Sequence, residues 1–160
     1  NCLWMAILLA ASPVLAETVE LGTVVPGVVD SVAVKPGQRV KRGTLLLKLE
    51  PTRLAAALAA AEAGLARAEL DLADAQRELD RAQELYARTV SSTTELDAAR
   101  LRHGRAAAEV RAARAHRDVA HKDLDDASLR APFDGVVRRV AAPGTVMHDC
   151  APKTLVTLER

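Results

Sequence analysis

Two seven-residue repeats stand back to back in the middle of this chain and leave few folds open to it. In the first, Leu58, Leu65, Leu72, Leu79 and Tyr86 hold one position, and Ala61, Ala68, Ala75 and Ala82 hold the position three residues later. In the second, Ala99, Ala106, Ala113, Ala120 and Ala127 are constant, with Leu96, His103, Val110, Arg117 and Leu124 in the companion position. Apolar residues at two heptad positions with charges elsewhere describe a coiled-coil seam. Alanine along that seam lets two backbones approach closely. Each run covers roughly 36–38 residues, about 55 Å of helix at 1.5 Å per residue. Between them lies Thr89-Val90-Ser91-Ser92-Thr93-Thr94, β-branched or hydroxylated throughout. Equal runs with a short break predict an antiparallel hairpin, its tip at about residues 89–94. Ser92 with Glu95 three residues on is a capping box for the second helix.

Polar interruptions and glycines modify this pattern without overturning it. His103 and Arg117 break the apolar line and are expected to snorkel to its edge, or to meet a carboxylate such as Asp74 or Glu78 across it. Gly64 and Gly104 each cost a helix about 1 kcal/mol relative to alanine. Arg67, Asp71, Arg77, Asp80, Glu109 and Asp118 read as a solvated surface of mixed sign, with Arg67 and Asp71 four apart.

The segments flanking the helical runs resemble each other. Residues 27–50 read GVVDSVAVKPGQRVKRGTLLLKLE and residues 131–158 read APFDGVVRRVAAPGTVMHDCAPKTLVTL. Val32 and Val34 alternate as a strand, Pro36-Gly37 fits a type II turn, Arg42-Gly43 makes a second break, and Leu45, Leu47 and Leu49 alternate again. Gly135-Val136-Val137 with Val140 matches Gly27-Val28-Val29 with Val32. Pro143-Gly144 matches Pro36-Gly37, and Leu155 with Leu158 matches Leu46 with Leu49. Where the second half wants a glycine before its last strand, Pro152-Lys153 stand instead. A small β-module is thus split, with a rod inserted between its halves.

Composition narrows the function classes. Aromatics make up 2% of the 160 residues, namely Trp4, Tyr86 and Phe133, which argues against a large globular core. The formal net charge of +1, without aromatics among the basic residues, gives no argument for nucleic acid. Residues 1–16 form a short apolar run ending Val14-Leu15-Ala16, read as a secretory signal, with an uncleaved N-terminal anchor as the alternative. Cys2 lies in that run, which would leave a mature chain with Cys150 and no intrachain disulfide. His103, His116, His121 and His148 form no metal set; His148-Asp149-Cys150 puts three potential ligands in one loop but lacks a fourth. Met5 and Met147 are too few for soft-metal chemistry. No phosphate loop, HExxH or GxSxG occurs. The expectation is a protein without catalytic residues, cofactor or metal.

Two half-motifs closing across an insertion resemble the halves of a biotinyl/lipoyl-type domain. In that fold the hairpin between the halves presents a modifiable lysine; here the insertion is the coiled coil, and Lys48 falls within a strand. With the helices between the halves, residues 17–160 resemble the periplasmic adaptor, or membrane fusion protein, family of bacterial tripartite efflux and secretion systems. The resemblance is carried by GVVDSVAVKPGQRVKRGTLLLKLEP, the hairpin and LRAPFDGVVRRV in that order. It implies an α+β fold: a split biotinyl/lipoyl-like β-sandwich with an inserted antiparallel α-helical hairpin. The expected organisation is residues 1–16 as signal or anchor, 17–50 and 130–160 as the two β halves, and 51–129 as the hairpin. The β-barrel and membrane-proximal domains of complete adaptors are not represented up to Arg160, so the sequence is expected to be a fragment or a short form.

The resemblance also implies partners: an outer-membrane channel at the hairpin tip, an inner-membrane transporter, and self-association into a ring in the periplasm, beside the inner membrane. Adaptors that engage a channel resemble one another in an arginine, a leucine four residues on and a serine eleven residues on. Arg81, Leu85 and Ser92 have that spacing, and Val90 and Leu96 are expected to frame the same tip. Read without the family, Ser92 is a helix cap, Leu85 packs beside Tyr86, and Arg81 is one surface charge among many. A carrier domain for acyl or carboxyl transfer and a coiled-coil scaffold without transport role are the alternative functions.

Overall fold

The computed structural model describes residues 17–89, 92–147 and 154–160. The apolar leader at residues 1–16, with Cys2, Trp4 and Met5, lies outside the described residues, as do Val90, His148-Asp149-Cys150 and Pro152-Lys153. The elements run β1 (Thr18–Leu21), β2 (Gly27–Val32), β3 (Arg39–Val40), β4 (Leu45–Leu49), α1 (Thr52–Ala87), α2 (Thr93–Asp126), β5 (Ser128–Arg130), β6 (Gly135–Val140), β7 (Val146–Met147) and β8 (Val156–Glu159). This is an α+β fold: a two-sheet β-module with a helical hairpin inserted between its halves.

The strands form two antiparallel sheets, ordered β1-β8-β6-β3 and β5-β4-β2-β7. The order shows what the sequence repeat means in space. β2 and β6 are equivalent, as are β4 and β8, and each half lends its short strand to the other half's sheet: β3 pairs with β6 and β7 pairs with β2. The hydrogen bonds repeat too. The Val29 N–H donates to the Thr145 carbonyl at 2.9 Å and its own carbonyl accepts from Gly144 at 2.8 Å; the Val137 N–H donates to the Gln38 carbonyl at 2.9 Å and its carbonyl accepts from Gly37 at 2.7 Å. Gly37 and Gly144 sit at φ +85° and +84°, a region closed to most side chains, which is why Pro-Gly stands at both corners. Neither half can complete its sheet alone.

Between the sheets lies one apolar cluster. It includes Val29, Leu46, Leu47, Leu49, Val137, Leu155, Val156 and Leu158, all at most 1% exposed. Leu46 with Leu49 and Leu155 with Leu158 are buried alike, as the repeat predicts. The simple alternation expected for Leu45, Leu47 and Leu49 is broken: Leu46 and Leu47 are both buried, and the β4–β5 register shifts between Leu45 and Leu47. Val34 is buried too, but beyond the end of β2.

Gly135 opens β6 because nothing larger fits: a Cβ built there would lie 2.5 Å from the Glu159 carbonyl oxygen across the ladder. Gly104 in α2 has no heavy atom within 4 Å of that position. Gly135→Ala is therefore expected to destabilise the module by about 1–3 kcal/mol, and Gly104→Ala to stabilise the rod by about 0.5–1 kcal/mol. Denaturation curves of the two variants should move in opposite directions; equal shifts would contradict the close approach at Gly135.

The rod grows out of paired strands. β4 and β5 are neighbours in one sheet; α1 begins three residues after the first and α2 ends two residues before the second. Pro51 offers no side-chain cap to α1, so Glu50 takes that task. Its carboxylate accepts the Thr52 N–H at 2.9 Å and the Thr52 hydroxyl, which together hold it below the usual carboxylate range. At the other foot the Leu49 N–H donates to the Ala127 carbonyl at 2.8 Å, Ala127 is buried, and Leu54 of α1 packs on the module core.

Along the rod the heptads are obeyed. Every seam residue of the first run from Leu58 to Ala82, and every one of the second from Leu96 to Ala127, is buried or half-buried. Leu79, Leu96 and Ala99 form a cluster with Ala82 against it, so a leucine of one helix meets an alanine of the other. Tyr86 is the exception: it continues the repeat but stands 44% exposed. Arg117 takes neither Asp74 nor Glu78; its Nε lies 2.9 Å from Asp118 on its own helix. Asp74 pairs with Arg77 at 2.8 Å, and Glu78 reaches across to Arg102 at 3.0 Å. The cross-rod ion pairs thus flank the seam instead of bridging it. Arg67 and Asp71 form no ion pair among the described residues.

Candidate partner-docking site at the hairpin tip

Local capping builds the tip. α1 closes at Arg88, whose N–H donates to the Glu84 carbonyl at 3.1 Å, while the Thr89 N–H donates to the Tyr86 carbonyl at 3.0 Å. Thr89 then adopts φ 62°, a left-handed conformation that is strained for a β-branched residue. α2 opens on the expected capping box. The Ser92 hydroxyl accepts the Glu95 N–H at 3.3 Å, and the Glu95 carboxylate accepts the Ser92 N–H at 3.1 Å. The buried Leu79–Leu96–Ala99 cluster lies beneath, so the tip stands on packed side chains. Leu96 therefore supports the tip from within instead of framing its surface.

Arg81 and Leu85 lie four residues apart on α1, hence on one flank of the helix. Leu85 is 37% exposed and Tyr86 follows it into solvent. Arg81 is exposed and belongs to no ion pair among the described residues, whereas its neighbours Arg77, Arg88 and Arg100 pair with Asp74, Glu84 and Asp97. Ser92 stands across the loop at the start of α2. The arrangement offers an uncommitted guanidinium fork, an apolar contact and a hydroxyl at one end of a rigid rod. A hydroxyl accepts and donates at once, so capping leaves Ser92 able to form an outward hydrogen bond. Sequence reasoning assigned Tyr86 to the seam and did not foresee Thr89. The signal was present in the glycine-free break: without glycine, some other residue had to take the left-handed turn.

The Ser92 cap carries its own consequence. Ser92→Ala should lower stability by about 1 kcal/mol through the lost cap, fraying the first turn of α2. Hydrogen exchange at Leu96 and its neighbours would report it, and unchanged protection there would refute the capping role. A docking defect in that variant has two sources, which makes Arg81 and Leu85 the cleaner probes.

Lys48 lies mid-strand in β4, in register with Ser31 on one side and Ser128 on the other, not at a turn as a carrier lysine requires. No helix among the described residues is long and apolar enough to cross a membrane.

A β-module closed by exchanged strands and extended by a long helical hairpin is a scaffold of the adaptor type. Comparison with known proteins agrees: residues 17–152 match the CzcB-like barrel-sandwich hybrid domain. The chain belongs to this family, and with it to the membrane fusion, or periplasmic adaptor, proteins. Among curated relatives, the multidrug resistance protein MdtA of Cronobacter turicensis is 35% identical over 122 residues, which is 76% of this chain and 29% of that protein. Two solved structures share the fold. ZneB from Cupriavidus metallidurans has TM-score 0.65 and 24% identity, covering 89% of this chain and 60% of that one. The membrane fusion protein Spr0693 from Streptococcus pneumoniae has TM-score 0.65 and 18% identity, covering 90% and 62%. The chain thus spans less than a third of the curated relative.

Proposed function

We propose that this chain serves as a periplasmic adaptor of a tripartite efflux pump. Copies assemble into a ring beside the inner membrane, join an inner-membrane transporter, and reach an outer-membrane channel through the hairpin tip. The observation that carries this reading is the tip itself: Arg81 without an ion-pair partner among the described residues and the half-exposed Leu85 and Tyr86, held on a rod clamped at its base by β4 and β5. Thirty-six residues of α1 set a reach of about 54 Å. A protein that must span a gap needs that stiffness more than it needs a pocket. The curated relative's name, a multidrug resistance protein, supports efflux as the process.

In this reading Arg81 bonds carbonyl or carboxylate oxygens on the channel, Leu85 fills a groove between channel helices, and Ser92 adds a hydrogen bond. The test is photocrosslinking in cells from positions 81 and 92, followed by mass spectrometry of the captured protein. Recovery of an outer-membrane channel is the expected result. Capture of no envelope protein by a folded, exported chain would overturn it, and the coiled-coil scaffold would take its place.

A further inference from the structure

The outer face of the β-module carries a groove of about 480 Å³ across the ends of β3, β6 and β8. Register places Arg39, Val136 and Glu159 in one row over the three strands. Val137 is fully buried, so alternation turns Val136 to the opposite, outer face, where it gives the groove an apolar floor. Arg39 stands on one wall, with Lys41 just beyond β3 and Arg160 just beyond β8. The two carboxylates of the groove are already engaged. Asp134 accepts the Arg42 N–H at 2.7 Å, and Glu159 accepts the Arg138 guanidinium, which holds it below the usual carboxylate range. Arg39, Lys41 and Arg160 belong to no ion pair among the described residues. Arg160 stands 5.8 Å over the centre of the Phe133 ring, and that ring lies beside Gly135 of the groove. Counting Arg138, four cations border the groove against two carboxylates. Cations gathered in this way repel one another, and an entering anion relieves the repulsion.

We propose that this groove binds a small organic anion, its carboxylate or sulfonate held between Arg39 and Lys41 and its apolar body lying on Val136. The volume falls within the range of small-molecule sites, about 300–1,000 Å³. The planar fork of arginine suits two oxygens of one head group, and the flexible lysine adds a further charged donor. Val136 and the nearby Phe133 ring give an apolar body somewhere to rest, which a bare inorganic anion would not use. Each exposed ion pair contributes little, so the affinity is modest, with Kd on the order of 10–100 µM. The inference goes beyond the adaptor reading: it gives the module a ligand of its own, at the opposite end of the rod from the hairpin tip.

Calorimetric titration of the full chain with anilinonaphthalene sulfonate tests this. One molecule per chain is expected to bind, more weakly as salt rises from about 0.01 M to about 1 M. Phenylnaphthylamine, which has the rings without the sulfonate, should bind about tenfold or more weakly. Arg39→Gln with Lys41→Gln should weaken the sulfonate by a similar factor, and Arg39→Glu with Lys41→Glu should abolish its binding. All four substitutions fall at exposed positions, and circular dichroism melts check that the module stays folded. Two controls should bind as wild type does. Arg105→Gln with Arg111→Gln removes the same charge from exposed positions of α2, and Val24→Ser removes an exposed valine outside the groove. Wild-type affinity in the folded glutamine pair, equal binding of the two probes, or no binding at about 1 mM sulfonate would each overturn the proposal. Co-sedimentation of wild type, but not of the glutamine pair, with phosphatidylglycerol vesicles would assign the groove to a membrane surface and overturn it too. Crosslinking from positions 81 and 92 reads a different surface, so failure here leaves the tip reading standing.

Discussion

Leu158→Ala is expected to destabilise the β-module by about 2–5 kcal/mol, a large part of the stability of so small a core. Leu158 is fully buried in β8, the strand that joins β1 on one side to β6 on the other, opposite Val19 and Val137. Removing its side chain leaves a void where strands from both halves of the sequence meet, and the swapped strands around it have little freedom to collapse inward. The loss should appear in the denaturation midpoint and in hydrogen exchange of β4, β6 and β8 together. Leu70→Ala is the control: that leucine is 71% exposed on α1, so its effect should stay within about 0.5 kcal/mol. Comparable effects of the two substitutions would refute the core described above.

Leu85→Asp should do the opposite, leaving the fold intact and abolishing docking. The side chain is already more than a third exposed and lies outside both buried clusters, so stability should change by no more than about 0.5 kcal/mol. A carboxylate in a desolvated groove of a partner is another matter. An unpaired buried charge at the centre of an interface costs several kcal/mol, which corresponds to a hundredfold or greater loss of affinity. Export measured at equal protein level is the readout, with Leu70→Ala again as the neutral comparison. Retained export in the aspartate variant would remove Leu85 from the docking surface.

The legibility of the chain divides by range. The seam was readable because a heptad is a local pattern: eight positions from Leu58 to Ala82 and ten from Leu96 to Ala127 follow it. The Ser92–Glu95 box was readable for the same reason, since both partners lie within one helical turn. Tyr86 shows where a period misleads. It keeps the spacing, but the hairpin turns before the opposite helix can cover it, and burial needs a partner as well as a position. Arg117 shows a related limit. Its place in the seam followed from spacing, while the carboxylate it meets, Asp118 instead of Asp74 or Glu78, depended on which flank its side chain reached.

What the sequence by itself determined is the presence of a split β-module, its Pro-Gly corners, and a rod of set length between its halves. Each of these rests on interactions a few residues long: a heptad step, a capping box, a backbone angle that favours glycine. The tertiary structure alone decided that β3 and β7 change places between the sheets, that Leu46 and Leu47 are both buried, and that Gly135 must pass beneath the Glu159 carbonyl. Those outcomes depend on strands distant in the sequence: β2 and β7 are more than a hundred residues apart, β3 and β6 more than ninety, and even Gly135 and Glu159 more than twenty. Local preference does not choose among such partners; the choice is made when two half-sheets, neither able to bury its apolar face alone, close on each other.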